Sequence, residues 1–361
     1  RSAQEQISYS EANLEYKFAN AINRMNRRDD PRIAYIVGND EQLGVETLDM
    51  LSTLHRYYVL DTVDLTQELQ ISLAYDAIII SEPATKFTGP EKLKIDQYIM
   101  KGGHVLWQVN SLNASIDSLI AHPPQFIAME KGLELDDLLF KYGVRINNDL
   151  VEDMQNIPLP RTIDGGSIEM HPWVYFPKLN PTADHPIVKN MDFIMTKFSN
   201  SIDTIRSPSI KKTVLLQSSK YSRVSRAPVR VSLSMMSFPL KNEMFNNPYR
   251  PVAVLLQSKF QSAYKGLLAP EYLRLMDSLK LPFKAACDSE NSIIVVSGGK
   301  IFSNDYTTKD GVLPMGYYKH TGEYFANKDF LLNCLEYLTD RSGVLVARSK
   351  EARLRLLDNA R

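Results

Sequence analysis

Nucleophilic catalysis on an α/β scaffold needs a serine or cysteine on a sharp strand-to-helix turn, and this chain offers two weak candidates. Ser111 comes directly after a predicted strand, but no glycine flanks it to force the strained, exposed turn of such a nucleophile. Cys287 lies in a predicted loop, and a lone loop cysteine carries no catalytic signal by itself. The residues therefore favour a protein that is not an enzyme, and a hydrolase or amidotransferase using Ser111 or Cys287 stays an alternative.

Metal and nucleotide chemistry find little support in the sequence. The six histidines share no familiar ligand spacing with another histidine, a cysteine or a carboxylate: His55, His104, His122, His171, His185 and His320. The glycine pairs Gly102-Gly103 and Gly298-Gly299 suggest a phosphate loop, but neither belongs to a GxxxxGKS/T or GxGxxG motif. The first pair ends a predicted helix, whereas the second follows a predicted strand, where a ligand role stays open. We expect no metal and no cofactor.

The elements that would position such residues alternate between strands and helices. Apolar, β-branched runs predict four strands between residues 32 and 110: Arg32–Val37, Tyr57–Leu65, Ala77–Ile80 and His104–Val109. Thr88 followed by Gly89-Pro90-Glu91 predicts a helix start, with a cap, a first-turn proline and an early acid. This order is typical of a parallel sheet covered on both faces. We therefore predict an α/β fold with a mostly parallel sheet flanked by helices.

A proline-rich stretch interrupts that pattern. Seven prolines lie between residues 152 and 210, and the α/β pattern then returns with a strand at Ile293–Val296 and a helix at Phe330–Leu338. Because it returns, we favour one elaborated α/β domain over two independent domains. The predicted division is an N-terminal helix at 1–30, a first part of the α/β domain at 31–151, an irregular β-containing insertion at 152–285, a closing part at 286–345, and a basic tail at 346–361.

Polar side chains follow several of the predicted strands. Parallel sheets bind ligands at the carboxyl ends of their strands, so these side chains define the predicted ligand pocket. Its members are Asn39, Asp40, Glu82, Asn110 and Ser297. The prediction rests on fold-level analogy, because no motif marks these residues.

The net charge is zero, but the charges are segregated along the chain. Residues 40–82 carry nine acids and one base, and residues 211–265 carry ten bases and one acid. Two interpretations stay open: the two regions compensate within the monomer, or the basic one faces an anionic partner or lipid headgroups. Since this basic block is the sole support for nucleic-acid binding in a neutral chain, we expect no nucleic-acid partner.

Length and composition predict a folded domain. The chain has 361 residues, of which 44% are hydrophobic and 23% charged, so it can bury a sizeable core. No apolar run approaches the roughly 18–20 residues of a membrane helix. The chain begins with Arg1 rather than methionine and shows no signal peptide, so we expect an excised soluble fragment. The basic tail is either a solvated helix or the approach to a membrane span outside this chain.

Four pairs of segments carry a resemblance to a known family. They are Asn13–Ala19 with Ile33–Gly38, Tyr75–Pro83 with Leu93–Trp107, Asn247–Leu256 with Lys259-Phe260, and Ile294–Asn304 with Asn327–Leu338. In this order and spacing they resemble the soluble region of the GldG family. That family is the auxiliary, substrate-binding-like component of gliding-motility-associated ABC transporters. The resemblance covers most of residues 10–345, and its most family-specific stretch is Asn247–Leu256.

The resemblance implies properties that composition does not show. It implies a core of the flavodoxin or class I glutamine amidotransferase type without the catalytic Cys-His-Glu. It also implies a periplasmic or extracytoplasmic position at the bacterial inner membrane, anchored through spans absent from this chain. The implied partners are an ABC transporter permease subunit and, indirectly, its ATPase. The leading hypothesis is therefore a non-catalytic auxiliary component that works through protein contacts, and the alternative is a solute- or peptide-binding module of the transporter.

Overall fold

The computed structural model describes residues 30–162, 166–237 and 239–339. The predicted N-terminal helix and the basic tail 346–361 lie outside the described residues. Within the described ranges no helix combines the length and the apolar composition that crossing a bilayer requires.

Strands dominate the described part of the chain. In chain order they are β1 (Arg32–Val37), β2 (Val59–Asp64), β3 (Ala77–Ser81), β4 (His104–Gln108), β5 (Gln125–Ala128), β6 (Val144–Ile146), β7 (Asp149–Asp153), β8 (Leu159–Thr162), β9 (Ile168–His171), β10 (Lys178–Pro181), β11 (Ile194–Met195), β12 (Ile202–Thr204), β13 (Lys211–Gln217), β14 (Ser222–Arg226), β15 (Val229–Ser232), β16 (Pro251–Ser258), β17 (Asn291–Val296), β18 (Tyr306–Thr307), β19 (Gly311–Val312), β20 (Tyr317–Tyr318) and β21 (Glu323–Tyr324).

The helices are fewer and mostly short. The α-helices are α1 (Leu48–His55), α2 (Gly89–Met100), α3 (Ile116–Ala121), α4 (Asp136–Lys141), α5 (Pro270–Ser278) and α6 (Asn327–Thr339). Short 3-10 turns span Val45–Thr47, Leu233–Ser237 and Asn242–Met244. The start of α2 matches its sequence signal: Thr88 and Glu91 form a capping box, and the Thr88 amide donates to the Glu91 carboxylate at 2.7 Å.

One nine-stranded sheet organises the molecule, in the order β11-β10-β13-β16-β17-β4-β3-β1-β2. The five strands β2, β1, β3, β4 and β17 pair in parallel. The remaining neighbours, from β17 through β16, β13 and β10 to β11, pair antiparallel. The prediction of a mostly parallel α/β sheet is therefore confirmed in part: the core strands are parallel, but the sheet as a whole is mixed. The reason is that strands from the proline-rich and following region add to the edge of the parallel set.

Both faces of the parallel strands are covered, as the strand–helix alternation predicts. Alternate residues of β1 point to opposite faces: Ile33 and Tyr35 enter one core cluster, and Ala34 and Ile36 enter the other. The first cluster contains apolar residues of α1 and α6, and the second contains those of α2 and α4. A third cluster, around Trp173, packs beneath the shorter strands β5, β7 and β15. The two-sided burial explains why β3 is apolar along most of its length.

Candidate functional site

A cleft of about 770 Å³ opens at the carboxyl ends of β3, β4 and β17. Glu82 follows β3, Asn110 follows β4, and Gly299 and Lys300 follow β17, and all four line the cleft. Open α/β sheets place ligands at this edge, because loops rather than further strands surround it. The cleft therefore lies where the sheet topology places a binding site.

Glu82 is fixed at the base of the cleft by hydrogen bonds from two directions. Its Oε1 accepts from the Gln108 side-chain amide at 3.1 Å and from the Lys300 backbone amide at 3.1 Å. Gln108 is fully buried, and its own Oε1 accepts from the Ser81 hydroxyl at 2.6 Å. The carboxylate of Glu82 thus ties the end of β3 to the loop after β17, and one side of it remains toward the cleft.

Three residues that line the cleft have left-handed backbone conformations. Glu82, Phe198 and Lys300 have φ values of 53°, 54° and 56°. This region is disfavoured for residues with a β-carbon, and an aromatic residue such as Phe198 is an uncommon occupant. Strain of this kind persists where the surrounding structure enforces it, and it clusters at binding and active sites. Three of the eight non-glycine residues with a positive φ in the described part of the chain therefore lie at the cleft.

Charged side chains at the cleft form matched pairs. Lys300 pairs with Glu46, and Lys197 pairs with Asp305 at 2.6 Å. The Lys197 ammonium also lies 5.9 Å from the centre of the Phe176 ring. Because the ammonium groups of Lys197 and Lys300 each already have a carboxylate, a charged ligand group would have to compete with an internal partner at these two lysines.

Apolar side chains form most of the cleft wall. They come from the helix α3, the strands β8 and β11 and the turn at Leu233–Ser237: Leu119, Ile120, Leu159, Met195, Leu233 and Met236. His320 and Tyr318 also line the cleft, with their ring centres 5.2 Å apart. Burial, followed by the nearby Lys319, lowers the pKa of His320, so the neutral imidazole is favoured. Such a site suits a largely apolar ligand with a few polar groups.

The five residues predicted to form a pocket separate into two groups. Glu82 and Asn110 line the cleft. Ser297 is fully buried, and its hydroxyl donates to the carbonyls of Asn200 at 2.6 Å and Val252 at 3.1 Å. Asp40 is exposed after β1 with a φ of 53°, outside the cleft lining.

Asn39 is also outside the cleft lining and is only 2% exposed. Its side-chain amide donates to the Lys86 carbonyl at 3.1 Å and to Glu91 at 3.2 Å. These contacts connect the end of β1 to the start of α2. Ligand binding by any of the five residues stays a prediction.

Sequence reasoning missed the ion-paired residues of the cleft. Lys300 had a usable signal, since it follows the Gly298-Gly299 pair directly after a strand. Lys197 and Asp305 had none, because they meet from segments 108 positions apart. A close approach explains the second glycine, since a β-carbon at Gly299 would lie 2.3 Å from the Lys197 carbonyl oxygen.

Neither candidate nucleophile is placed for catalysis. The Ser111 hydroxyl donates to the Asn147 backbone carbonyl at 3.0 Å rather than to a basic side chain. The Cys287 thiol is buried and donates to the Ile99 carbonyl at 3.3 Å. Within residues 30–162, 166–237 and 239–339, no three or more histidine, cysteine and acidic side chains group as a metal site.

We expect neither cysteine to react with a thiol reagent in the folded protein. Burial raises the pKa of the Cys287 thiol and raises that of Cys334 well above its ordinary value, so little reactive thiolate is present near pH 8. Titration with Ellman's reagent should give no rapid labelling in native buffer and two thiols per chain in concentrated urea. Rapid labelling of the native protein would contradict this burial and would restore Cys287 as a candidate nucleophile.

Sequence comparison finds a matching family profile and a relative. A family profile described as "ABC-type uncharacterized transport system" matches residues 30–334. An uncharacterized protein of Borreliella burgdorferi is 24% identical over 217 residues, which are 59% of this chain and 38% of that protein. The matched region therefore spans well under half of that relative.

Two solved structures are similar over most of the chain. The mmIFT52 N-terminal domain has a TM-score of 0.47 and 14% identity, and the match covers 86% of this chain and 98% of that domain. A ThuA-like protein from Parabacteroides merdae has a TM-score of 0.38 and 12% identity, with 86% and 90% covered. Both TM-scores lie below 0.5.

Proposed function

Because this chain belongs to the ABC transport auxiliary family described as "ABC-type uncharacterized transport system", we propose that it is a non-catalytic auxiliary component of an ABC transport system. The family match over residues 30–334 is the observation that supports a role in ABC transport. The finer assignment is to the gliding-motility or secretion-associated type, the type that the GldG resemblance implies. In this role the chain acts through contacts with the permease subunit and, through the permease, with the ATPase.

The absence of catalysis is supported by the sheet edge itself. Among the described residues that follow β4, where a nucleophile would lie, Ser111 donates its hydroxyl to a backbone carbonyl. An activated serine would instead donate to a positioned base. The order β2-β1-β3-β4-β17 of the parallel strands supports the proposed flavodoxin or class I glutamine amidotransferase relationship. Enzymes use the proposed fold type, whereas in this chain we propose that it serves protein binding without catalysis.

We place the chain on the periplasmic or extracytoplasmic face of the bacterial inner membrane. Anchoring would be through spans outside residues 1–361, as the GldG resemblance implies. Three acids of residues 40–82 are paired within the monomer, although with bases outside residues 211–265: Asp61 with Arg32, Glu46 with Lys300, and Asp49 with Lys328. Protein contacts, rather than bulk charge, would then set the choice of partner.

Co-purification tests this function. The full-length protein carrying this chain is tagged and recovered from detergent-solubilised membranes, and its partners are identified by mass spectrometry. We expect a permease subunit and, in smaller amount, its ATPase, both absent from a tagged, unrelated membrane protein purified in parallel. If repeated purifications, with and without cross-linking, recover no transporter subunit, the auxiliary function is wrong.

The cleft favours a second candidate, a solute- or peptide-binding module of the same transporter. The observation that favours it is the coincidence of an open cleft with three left-handed residues in its lining. A solute retained there would bury its apolar part against the wall and direct its polar groups to Glu82, Asn110 and the lysine pairs. This candidate differs from the first because it requires a small ligand.

A thermal-shift screen with amino acids, short peptides and sugars tests the binding module. A ligand that raises the melting temperature should lose most of its effect in Lys300→Met, because that lysine lines the cleft. Lys309→Met is the matched control, since Lys309 is exposed and outside the cleft lining. A ligand that stabilises both variants equally binds elsewhere, and a screen without any stabilising ligand counts against this candidate.

A further inference from the structure

The helix α5 differs from the other long helices because it buries none of its residues. It spans nine residues, Pro270–Ser278, and begins with a proline in its first turn. Helices of globular proteins gain most of their stability by packing an apolar face against the core. In α5 that face is available to a partner outside the chain.

The apolar face of α5 is solvent-exposed. Tyr272, Leu275 and Leu279 recur at spacings of three and four, which places them on one side of the helix. They are 39%, 52% and 48% exposed, and Leu267, just before the helix, is 75% exposed. Leu273 and Met276, which lie to one side of this stripe, are half-buried. We call Leu267, Tyr272, Leu275 and Leu279 the α5 stripe.

Basic residues surround the α5 stripe. Residues 259–288 contain five bases and three acids, a net charge of +2. Arg274 and Lys280 lie on α5 and directly after it, and both are exposed. In the described part of the chain neither forms an ion pair with a carboxylate. Exposed apolar side chains beside unpaired cations are the composition of helices that lie in the interface of an anionic membrane.

We propose that the α5 stripe and its flanking bases dock this chain onto an anionic phospholipid surface. The apolar side chains would enter the acyl boundary, and Arg274 and Lys280 would contact headgroup phosphates. A lipid surface accepts a convex stripe of four side chains without a shaped counterpart. A stable protein interface, in contrast, uses about 20–30 residues a side. This contact is separate from the proposed permease contact, and it needs no transporter subunit.

Vesicle co-sedimentation with the purified 361-residue chain tests the proposal. Vesicles of phosphatidylcholine with 30% phosphatidylglycerol, a roughly physiological anionic content, should bind the chain, and pure phosphatidylcholine should bind it much less. Rising salt should weaken binding to the anionic vesicles. A double variant, Leu275→Ser with Leu279→Ser, should lose about tenfold or more in binding, because it removes half of the stripe. Arg274→Gln with Lys280→Gln should lose about 25-fold, since each surface charge contributes about fivefold.

Matched controls separate docking from misfolding. Leu43→Ser changes a leucine that is 54% exposed near α1 and does not belong to the α5 stripe, and its binding should stay at the wild-type level. All variants should keep the wild-type circular dichroism spectrum and melting temperature, because no altered side chain is buried. Equal wild-type binding to neutral and anionic vesicles would overturn the proposal. So would stripe variants that bind vesicles normally but lose a protein partner, since the stripe would then be a protein-docking surface.

Discussion

Replacing Asp96 with alanine should lower the free energy of unfolding by about 3–5 kcal/mol, the range for breaking a buried, fully paired polar network. Asp96 lies on α2 and has no exposed surface. Its carboxylate accepts from the Tyr142 hydroxyl at 2.7 Å, the Ser262 hydroxyl at 2.6 Å and the Ala263 backbone amide at 2.8 Å. The side chain therefore joins α2 to the segment after α4 and to the loop after β16. Removing it leaves the buried Tyr142 and Ser262 hydroxyls and the half-buried Ala263 amide without this acceptor.

Urea unfolding followed by circular dichroism measures this effect. Asp96→Asn should cost less than the alanine variant, because its one remaining oxygen still accepts some of these bonds. Asp277→Ala is the control, since that aspartate is exposed on α5 and should change stability by less than about 0.5 kcal/mol. An Asp96→Ala protein that unfolds at the wild-type urea concentration would contradict the anchoring role of this carboxylate.

Local chemistry made several elements readable from the sequence. The run Ala77–Ile80 is apolar at every position, and β3 is buried at every position because the sheet is covered on both faces. The capping box at Thr88 and Glu91 signals the start of α2 by a bond that forms within four residues. Both signals depend only on neighbours in sequence, so tertiary context did not alter them.

Pairing between distant strands was not readable. The sequence predicts a strand near Thr213–Gln217, but nothing local shows that β13 lies between β10 and β16 in the main sheet. Residues 144–151 likewise belong to two strands with different partners, because β6 pairs with β12 while β7 pairs with β14. An alternating or apolar pattern predicts that a segment forms a strand. Which strand it pairs with, and whether the pair is parallel, depends on contacts far along the chain.

The candidate site was predictable to the extent that it follows the sheet. Glu82 and Asn110 directly follow parallel strands, so topology alone places them at the cleft. Asn39 and Ser297 follow strands equally well, yet their polar groups bond to neighbouring segments. Following a strand therefore brings a residue to the correct edge. Whether it faces the cleft depends on loops that the sequence does not place.

Glu41 gives the second large expected effect, a loss of stability as the pH rises. Its side chain lies after β1 and is 7% exposed. One carboxylate oxygen accepts from the Asn39 backbone amide at 2.8 Å, while the other is buried without a hydrogen-bond partner in the described part of the chain. Burial raises the pKa of Glu41 from 4.5 to about 7, and the nearby Asp40 and Glu91 add to the rise.

The sign of the effect follows from the direction of that shift. A carboxyl group with a higher pKa in the folded state binds its proton more tightly there than in the unfolded chain. Ionising the buried Glu41 carboxyl group therefore lowers the free energy of unfolding. This loss is absent below pH 4.5, grows as the pH rises toward 7, and is complete above pH 7. A shift of this size corresponds to about 3 kcal/mol. Glu41→Gln keeps an oxygen for the Asn39 amide but cannot ionise, so we expect it to remove this loss.

Urea unfolding at pH 4 and pH 8 separates this effect from general destabilisation. Wild type and Glu41→Gln should have similar unfolding free energies at pH 4, and the variant should be more stable by about 1–3 kcal/mol at pH 8. The exposed Glu68→Gln is the control and should follow wild type at both values. If the difference between Glu41→Gln and wild type does not change with pH, Glu41 is charged in the fold without cost. A partner for its second oxygen would then have to exist in solution, at the same strand end where Asn39 was predicted to bind a ligand.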